Sequence, residues 1–455
     1  MNIFLWGGAI SACQSEGAYD RDGRTASIFD TLPLASEGRW DIYKHPEHAL
    51  KTEYSFYPSH EAINFYDNYK EDLKLLAELG IKAFRTSISW SRIFPTLDGE
   101  VNEEGVQFYI DLFTECRHLG MEPIVTLCHF DTPLYLTKAF DGWYSRQIIP
   151  YFLQYAELML KKLKGLVRYW LPINEVNMIL HIPYLGGGMV KTDEISTYQA
   201  AHHMLLGSAQ FTQLAHDIDS NNQVGCMLAA GVYYPYSCNP TDVAAAQKEN
   251  RKAYLFTDVQ IRGSYPTWFQ QGSFIQANDL QTLAKNTVDF VAISYYSTRV
   301  AAGEETVSET VDGNAAKTLR NPNLEITPWG RQIDPLGLKT TLIDLYDRYQ
   351  LPIFIVENGL GAEDALINGE VQDDYRIEFM QQHIYSLRET MREGVEVMGY
   401  LVWGIIDVIS AGGGEIEKRY GLIHVDQQND GTGSKKRTPK KSFYWYQQLI
   451  QEYTD

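Results

Sequence analysis

The chain has 455 residues, of which 44% are apolar, 13% aromatic and 21% charged. Its 39 Lys and Arg residues against 58 Asp and Glu residues leave a formal net charge of −19. The apolar fraction is that of a packed globular protein and excludes a disordered or collagen-like chain. The acidic balance disfavours a nucleic-acid partner, because phosphate backbones bind to basic surfaces. An anionic substrate would meet the same repulsion unless positive charge is gathered locally.

The cysteines and the N-terminus bear on the cellular compartment. The five cysteines are odd in number, widely spaced and without a CxxC pair, so they predict neither a disulfide framework nor a zinc site. The N-terminal MNIFLWGGAISACQ lacks the basic residues that begin a signal peptide. No uncharged stretch approaches the roughly 20 residues of a membrane span. We therefore expect a cytoplasmic protein without a membrane partner and without a metal.

Short apolar runs recur along the chain and alternate with amphipathic segments. The predicted strands are 4–11, 83–89, 122–129, 169–175, 224–231, 290–297, 352–359 and 397–404. The predicted helices are 60–79, 105–118, 145–163, 196–217, 338–348 and 373–393. Ser59 is the expected N-cap of the first helix and Gly80 its end. Nearly continuous apolar strands such as FVAIS and IFIV are typical of a parallel sheet buried on both faces.

This alternation, without a linker rich in Pro, Ser or Gly, predicts one α/β domain over residues 1–455, a single (β/α)8 TIM barrel. A doubly wound parallel sheet is the alternative. It would carry a glycine-rich phosphate turn after the first strand, and GGAISACQSEG does not match GxGxxG. In a TIM barrel the active site lies at the C-terminal ends of the strands.

Two glutamates follow apolar runs at such ends. Glu175 closes LPINE in the fourth predicted strand, and Glu357 closes IFIVE in the seventh. An isolated glutamate there more often begins an exposed loop, but a matched pair across a barrel mouth is what glycoside hydrolysis requires. One carboxyl protonates the departing oxygen while the other meets the developing oxocarbenium ion. Aromatic residues at neighbouring strand ends either fill the core or pack on sugar rings; they are Trp90, Tyr295, Tyr296 and Trp403.

Five motifs together resemble glycoside hydrolase family 1, and the match covers essentially the whole chain. They are FRTSISWSRIFP at 84–95, CHFDTPLYL at 128–136, INEVN at 173–177, IVENGLG at 355–361 and SFYWY at 442–446. The resemblance implies a retaining two-carboxylate mechanism without a cofactor or metal. It implies that Glu175 is the general acid and base and that Glu357 is the nucleophile, which Arg85 and Tyr296 would hold ionised and oriented. The substrate-binding residues that it implies are Gln14, His129, Asn174, Tyr296, Trp329 and Trp403.

Within the family, several segments are similar to the 6-phospho-β-glucosidases. They are PSHEAINFY at 58–66, SYY at 294–296, WGRQIDPLGL at 329–338 and DVISAGGGEIEKRYG at 407–421. Ser410 and Ala411 stand where ordinary β-glucosidases carry a Glu–Trp pair, and the loss of that carboxylate leaves room for a phosphate. The phosphate-binding residues that the resemblance implies are Ser410, Gly412, Lys418 and Tyr420.

Two positions depart from this branch. Gly412 stands where a Ser is usual, so backbone N–H groups of 412–414 or the hydroxyl of Ser410 would replace the missing donor. Arg331 stands where a Trp is expected, which leaves Trp329 as the stacking platform for the leaving group. Ala411 favours the gluco over the galacto configuration, whereas the aglycone and the oligomeric state stay open.

Three alternatives remain beside a phosphorylated β-glucoside as the small-molecule substrate. They are an ordinary β-glucosidase or β-galactosidase, a 6-phospho-β-galactosidase, and a non-catalytic binder of sugar phosphates, which the presence of both glutamates disfavours. Basic residues cluster between 418 and 441. We expect 435–441 to be a solvated loop and Lys418 and Arg419 to lie at the barrel mouth. Their local charge can outweigh a remote negative total, since salt screens over about 8–10 Å.

Overall fold

Eight parallel strands close into a barrel in a computed structural model that describes residues 4–270, 272–303, 309–312 and 317–454. The strands are β1 (Leu5–Ala9), β2 (Ala83–Ser87), β3 (Glu122–Cys128), β4 (Tyr169–Ile173), β5 (Gln223–Ala230), β6 (Phe290–Tyr295), β7 (Ile353–Asn358) and β8 (Val397–Trp403). Each pairs with the next along the chain, and β8 pairs with β1. The predicted (β/α)8 barrel and its strands are confirmed, and the doubly wound sheet is wrong.

Helices follow every strand and form the outer layer. Those that match predicted helices are Phe65–Leu79, Glu103–His118, Ile148–Lys162, Glu194–Ile218, Pro335–Tyr349 and Asp374–Arg392. Further helices are Pro240–Ala253, Leu255–Arg262, Ala277–Lys285 and Lys441–Thr454. In the described part of the chain, no helix is both long enough and apolar enough to cross a membrane.

Short elements build the loops around the barrel mouth. The short helices are Ala12–Ser15, Arg39–Lys44, Pro58–Glu61, Trp90–Ile93, Leu134–Phe140 and Pro183–Gly187. The 3-10 turns are Ile28–Thr31, Ala35–Glu37, Pro46–Leu50, Gly142–Tyr144 and Val176–Leu180. The short strand pairs are Tyr233–Pro235 with Arg299–Ala301, Thr310–Asp312 with Lys317–Leu319, Glu325–Ile326 with Gln332–Ile333, and Ile423–Val425 with Arg437–Pro439.

The predicted start of the first barrel helix is wrong. Ser59 is not its N-cap but lies in the separate short helix Pro58–Glu61, where its hydroxyl donates to the carbonyl of Phe29 at 3.4 Å. Ala62 and Asn64 have φ of +41° and +56°, which interrupts the helix before it restarts at Phe65. The predicted end is confirmed, since Gly80 adopts φ of +89°.

A packed apolar layer fills the inside of the barrel and supports the site above it. Six strands supply its larger side chains, which are Ile124, Leu171, Met227, Phe290, Phe354 and Leu401. The same cluster reaches Tyr296, Trp403 and Tyr420 at the C-terminal end. The barrel is thus a solid core rather than a pore, and its C-terminal end is where a TIM barrel carries its active site.

A buried ion-pair network joins the loops after β7 and β8. Lys440 pairs with Asp364 and, at 2.8 Å, with Asp407. Arg376 and Arg419 supply the second cation to these two carboxylates, at 2.9 and 3.1 Å respectively. Every side chain in the network is at most 8% exposed. Buried charges require such pairing, because an unpaired ion in this environment costs several kcal/mol.

This network corrects two expectations about the basic residues of 418–441. The solvated-loop prediction is wrong for Lys440, and also for Arg437, which pairs with the buried Asp72 at 2.8 Å. Arg419 is not at the cleft, because its guanidinium faces Asp407. Lys436 is exposed, as predicted.

Replacing Lys440 by Met should destabilise the fold by about 3 kcal/mol or more, because it leaves two buried carboxylates undercompensated. The matched control, Lys436→Met, removes an exposed lysine and should change stability by less than about 0.5 kcal/mol. The measurement is the free energy of unfolding from urea titrations. Equal stabilities for the two variants would contradict the buried network.

Candidate active site

The carboxylate of Glu357 is held from two sides at the barrel mouth. Glu357 lies in β7, and its Oε1 accepts a bond of 2.6 Å from Nη1 of Arg85 in β2. Its Oε2 accepts a bond of 2.8 Å from the hydroxyl of Tyr296, which follows β6. All three residues are at most 5% exposed. The arrangement fixes both oxygens of one carboxylate with a cation and a phenol.

Arg85 ties this carboxylate to the neighbouring strands. Its Nη2 donates to Oδ1 of Asn174 at 2.6 Å, and its Nε donates to Oγ1 of Thr126 at 3.1 Å. Asn174 follows β4 and Thr126 lies in β3, so one guanidinium connects four strands. Because its donors form a rigid planar fork, Arg85 sets the relative positions of Glu357 and Asn174.

Burial and charge act in opposite directions on Glu357. Burial raises the pKa of its carboxyl above the ordinary value, although Arg85 and the hydroxyl of Tyr296 both favour the ionised form. Burial, with the nearby charge of Glu357, also raises the pKa of Tyr296 well above its usual range. Tyr296 therefore stays a hydroxyl donor at all ordinary pH values.

Glu175 follows β4, which is not adjacent to β7 in the barrel, and has an unusual backbone conformation. It lies two residues beyond the end of β4, not at its last residue as predicted, and has φ of +40°. Its Oε1 accepts a hydrogen bond from the hydroxyl of Ser294 in β6. Ser294 stands in register with Glu357 of β7. Ser294 therefore lies between the two carboxylate-bearing strand ends. A left-handed non-glycine residue at such a position is typical of a functional site.

Side chains with unused polar atoms line the same mouth. Nδ2 of Asn174 and Nδ1 of His129 are buried and have no hydrogen-bond partner within the described ranges. The imidazole of His129 lies parallel to the indole of Trp403, with 5.6 Å between ring centroids. Burial, and secondarily the charge of Arg85, lowers the pKa of His129 well below its ordinary value, so it is neutral. Buried donors and acceptors of this kind are completed by a polar ligand.

Gln14 is oriented by contacts of its own. Its Oε1 accepts from the hydroxyl of Ser11 at 2.9 Å, and its Nε2 donates to the carbonyl of Ile409 at 2.7 Å. One N–H of the amide is left for a ligand, and the side chain is only 1% exposed. The sequence-predicted sugar-binding residues around β1, β3, β4 and β8 thus occupy one end of the barrel.

Two of the four predicted phosphate-binding residues lie together in a small cleft. Lys418 and Tyr420 line it with Trp329 and Arg331. Nη1 of Arg331 lies 3.4 Å from the hydroxyl of Tyr420. Burial alone would raise the pKa of Tyr420, but the charges of Arg331 and Lys418 outweigh it and lower the pKa below the ordinary value.

The other two, Ser410 and Gly412, lie in a turn that packs against the short helix Arg39–Lys44. The hydroxyl of Ser410 accepts from the N–H of Gly413 at 3.3 Å. The hydroxyl of Tyr43 donates to the carbonyl of Ala411 at 3.1 Å. Among the residues that the structure describes, neither Ser410 nor Gly412 hydrogen-bonds to Lys418 or Tyr420.

Four residues that support the site were not assigned these roles from the sequence. Thr126 and Ser294 orient Arg85 and Glu175, and Arg331 contacts Tyr420. Asp131 accepts the N–H of His129 at 3.0 Å, and burial raises its pKa to about 8. Ser294, Arg331 and Asp131 lie in the motifs SYY, WGRQIDPLGL and CHFDTPLYL, but those motifs did not indicate these contacts. The contact of Thr126 with Arg85 joins two strands 41 residues apart in sequence.

No group of His, Cys, Asp and Glu side chains that could hold a metal occurs in the described ranges. A closed parallel barrel with two carboxyl groups at its C-terminal mouth is an arrangement that glycoside hydrolases use. The chain belongs to glycosyl hydrolase family 1, whose sequence profile matches residues 2–454.

The chain is similar over nearly its whole length to individual members of this family. The chain is 46% identical to 6-phospho-beta-glucosidase AscB of Escherichia coli, over 98% of this chain and 97% of that protein. It is 43% identical to aryl-phospho-beta-D-glucosidase BglH of Bacillus subtilis, over 98% of this chain and 96% of that protein. A crystal structure of a β-glucosidase from Exiguobacterium antarcticum superposes with a TM-score of 0.84 at 29% identity, covering 100% of this chain and 99% of that one.

Proposed function

We propose that this protein hydrolyses 6-phospho-β-D-glucosides to glucose 6-phosphate and an aglycone, with retention of configuration at the anomeric carbon. The observation that carries the proposal is the pair of carboxyl groups at the mouth, with Glu357 bound by Arg85 and Tyr296 and Glu175 bound by Ser294. Two different environments suit two different tasks, because one carboxyl must be ionised while the other carries a proton.

In the first step, Glu357 is the nucleophile. Its ionised oxygen attacks the anomeric carbon, the glycosidic C–O bond breaks, and Glu175 gives its proton to the departing aglycone oxygen. Arg85 and Tyr296 keep Glu357 ionised before attack. The negative charge of Glu357 opposes ionisation of a second carboxyl nearby, so Glu175 holds its proton until that charge is lost.

In the second step, Glu357 is esterified in a glycosyl-enzyme and carries no negative charge. Glu175 is then free to take a proton from water, whose oxygen attacks the anomeric carbon and releases Glu357. Asn174, His129 and Gln14 would bind the sugar hydroxyls through the donors and acceptors left unused by the protein. Trp403 would pack beneath the glycone, and Trp329 beside the aglycone.

Recognition of the 6-phosphate is assigned to Lys418 and Tyr420, with the turn of Ser410 and Gly412. Lys418 offers a point charge and Tyr420 a hydroxyl donor. Two relatives above 40% identity, the 6-phospho-beta-glucosidase AscB and the aryl-phospho-beta-D-glucosidase BglH, are named for phosphorylated β-glucosides, which supports this choice. We also propose a cytoplasmic enzyme, because the described cysteines are all free thiols, as is usual in a reducing compartment.

An ordinary β-glucosidase and a 6-phospho-β-galactosidase remain the competing functions. We expect nitrophenyl β-glucoside 6-phosphate to be hydrolysed at least about 100-fold more efficiently than nitrophenyl β-glucoside, judged by kcat/KM. One charged contact at the phosphate is worth about a factor of 10 or more. Lys418→Ala should raise KM chiefly for the phosphorylated sugar. A preference for the unphosphorylated sugar, or for the galacto epimer, would contradict the proposal.

Replacing Arg85 by Met should move the acid side of the pH profile of kcat/KM to higher pH. Loss of the opposite charge favours the protonated form of Glu357, so its pKa rises, by about 1 to 3 pH units. The acid limb of kcat/KM reports this group in the free enzyme. Arg85→Lys keeps a positive charge and should shift the limb less. An unshifted limb in Arg85→Met would mean that Arg85 does not set the ionisation of Glu357.

A further inference from the structure

One cleft in the barrel mouth gathers two cations and a phenol. The loop after β6 carries Trp329 and Arg331 into it, and the loop after β8 carries Lys418 and Tyr420. Gly361, from the loop after β7, lies against both. A Cβ there would stand 2.9 Å from Cζ of Tyr420 and 3.0 Å from Cγ of Lys418. The missing side chain at Gly361 lets Lys418 and Tyr420 pack together in this cleft.

Arg331 links this cleft to the carboxylate of Glu357. Its Nη1 lies 3.4 Å from the hydroxyl of Tyr420. Its Cζ lies 4.7 Å from the ring centroid of Tyr296, the residue that donates to Glu357. The guanidinium is therefore separated from that carboxylate by a single aromatic side chain. A group bound by Arg331 would belong to the molecule whose anomeric carbon meets Glu357.

No described carboxylate forms an ion pair with either cation of the cleft, and the charge of Glu415 acts on Tyr420 more weakly than the charges of Arg331 and Lys418 do. Within the described ranges, the ammonium of Lys418 has no hydrogen-bond acceptor or ion-pair partner; it lies 5.3 Å from the ring centroid of Trp329. Arg331 forms no ion pair with a described carboxylate, and its buried Nε has no acceptor. The hydroxyl of Tyr420 receives the contact from Arg331, so its proton is available to a ligand. Unpaired cations and donors that converge in this way form a site for an anion.

The turn at 410–414 supplies fewer donors than its shape would allow. A Cβ at Gly412 would lie 3.9 Å from the nearest atom of Trp40 and 4.0 Å from Oγ of Ser410, which are ordinary contact distances. Packing therefore does not exclude a serine at this position. Its hydroxyl is nevertheless absent. The N–H groups of Gly413 and Gly414 already donate to Oγ and the carbonyl of Ser410, at 3.3 and 2.8 Å, so they do not replace it.

We propose that Arg331 is a specificity-determining residue that binds the 6-phosphate of the substrate together with Lys418 and Tyr420. This inference rests on the proposed function. A guanidinium presents two parallel N–H groups to phosphate oxygens, and charge-assisted bonds of this kind are about twice as strong as neutral ones. Arg331 thereby replaces the donor that is missing at Gly412.

The test compares Arg331→Met with wild type on nitrophenyl β-glucoside and its 6-phosphate. We expect kcat/KM for the phosphorylated substrate to fall about 10- to 100-fold through KM, as for loss of a hydrogen bond to a charged group. The unphosphorylated substrate should lose much less, so that the ratio of the two kcat/KM values falls about 10-fold or more. Inhibition by glucose 6-phosphate should weaken in parallel, and inhibition by glucose should not. Arg320→Met, which removes an arginine paired with Glu309 in the same loop region, is the matched control and should behave as wild type.

A compensating variant makes the test specific. Adding Gly412→Ser to Arg331→Met should restore part of the affinity for glucose 6-phosphate, because it returns a hydroxyl donor to the site. Equal losses on both substrates would make Arg331 a packing residue. Losses that follow the aglycone, when a methyl replaces the nitrophenyl group, would make it an aglycone contact. Either result overturns the inference.

The outcome for Lys418→Ala separates this inference from the proposed function. If wild type prefers the phosphorylated sugar and Lys418→Ala loses that preference while Arg331→Met keeps it, only the role of Arg331 fails. If wild type shows no preference for the phosphorylated sugar, both the proposed function and the role of Arg331 fail.

Discussion

The site depends on keeping one fully buried carboxylate ionised. Burial opposes the charge on Glu357, and the guanidinium of Arg85 with the hydroxyl of Tyr296 counteracts that cost. The same guanidinium binds Asn174 and Thr126. Electrostatic support and geometric alignment therefore come from one side chain at the centre of the barrel. Glu175, which follows β4 and not a strand adjacent to β7, accepts from a neutral serine, so the two carboxyl groups can differ in protonation.

A second constraint explains how an acidic protein can bind an anionic sugar. The formal charge of −19 is a property of the whole chain, whereas a phosphate interacts with the charges within about one Debye length, 8–10 Å. In the loops after β7 and β8, basic residues such as Lys440 and Arg419 form ion pairs with a buried aspartate, so their charge is compensated. Lys418 and Arg331 form no such ion pair with a described carboxylate, so positive charge remains in the cleft that they line beside Tyr296.

The barrel and the glutamate pair could be predicted from the sequence because both rest on local patterns. Continuous apolar runs predict the strands of a parallel sheet. The backbone of a closed barrel then brings all the C-terminal strand ends to one mouth, independently of the side-chain contacts there. The failures concern contacts between distant segments. The sequence predicted Ser59 as a helix N-cap, but its hydroxyl donates to the carbonyl of Phe29. It predicted Lys440 to be solvated, because the partners Asp364 and Asp407 lie far from it in sequence.

The most direct test of the account is to identify the residue that bonds to the sugar. A 2-deoxy-2-fluoro-β-glucoside 6-phosphate with a good leaving group should trap the intermediate. Fluorine destabilises both oxocarbenium-like transition states, and the good leaving group restores only the rate of formation. Mass spectrometry of the digested protein should then find the fluorosugar phosphate on the peptide that contains Glu357. A label on a different residue, or hydrolysis of the phosphorylated glucoside with inversion at the anomeric carbon, would contradict the account.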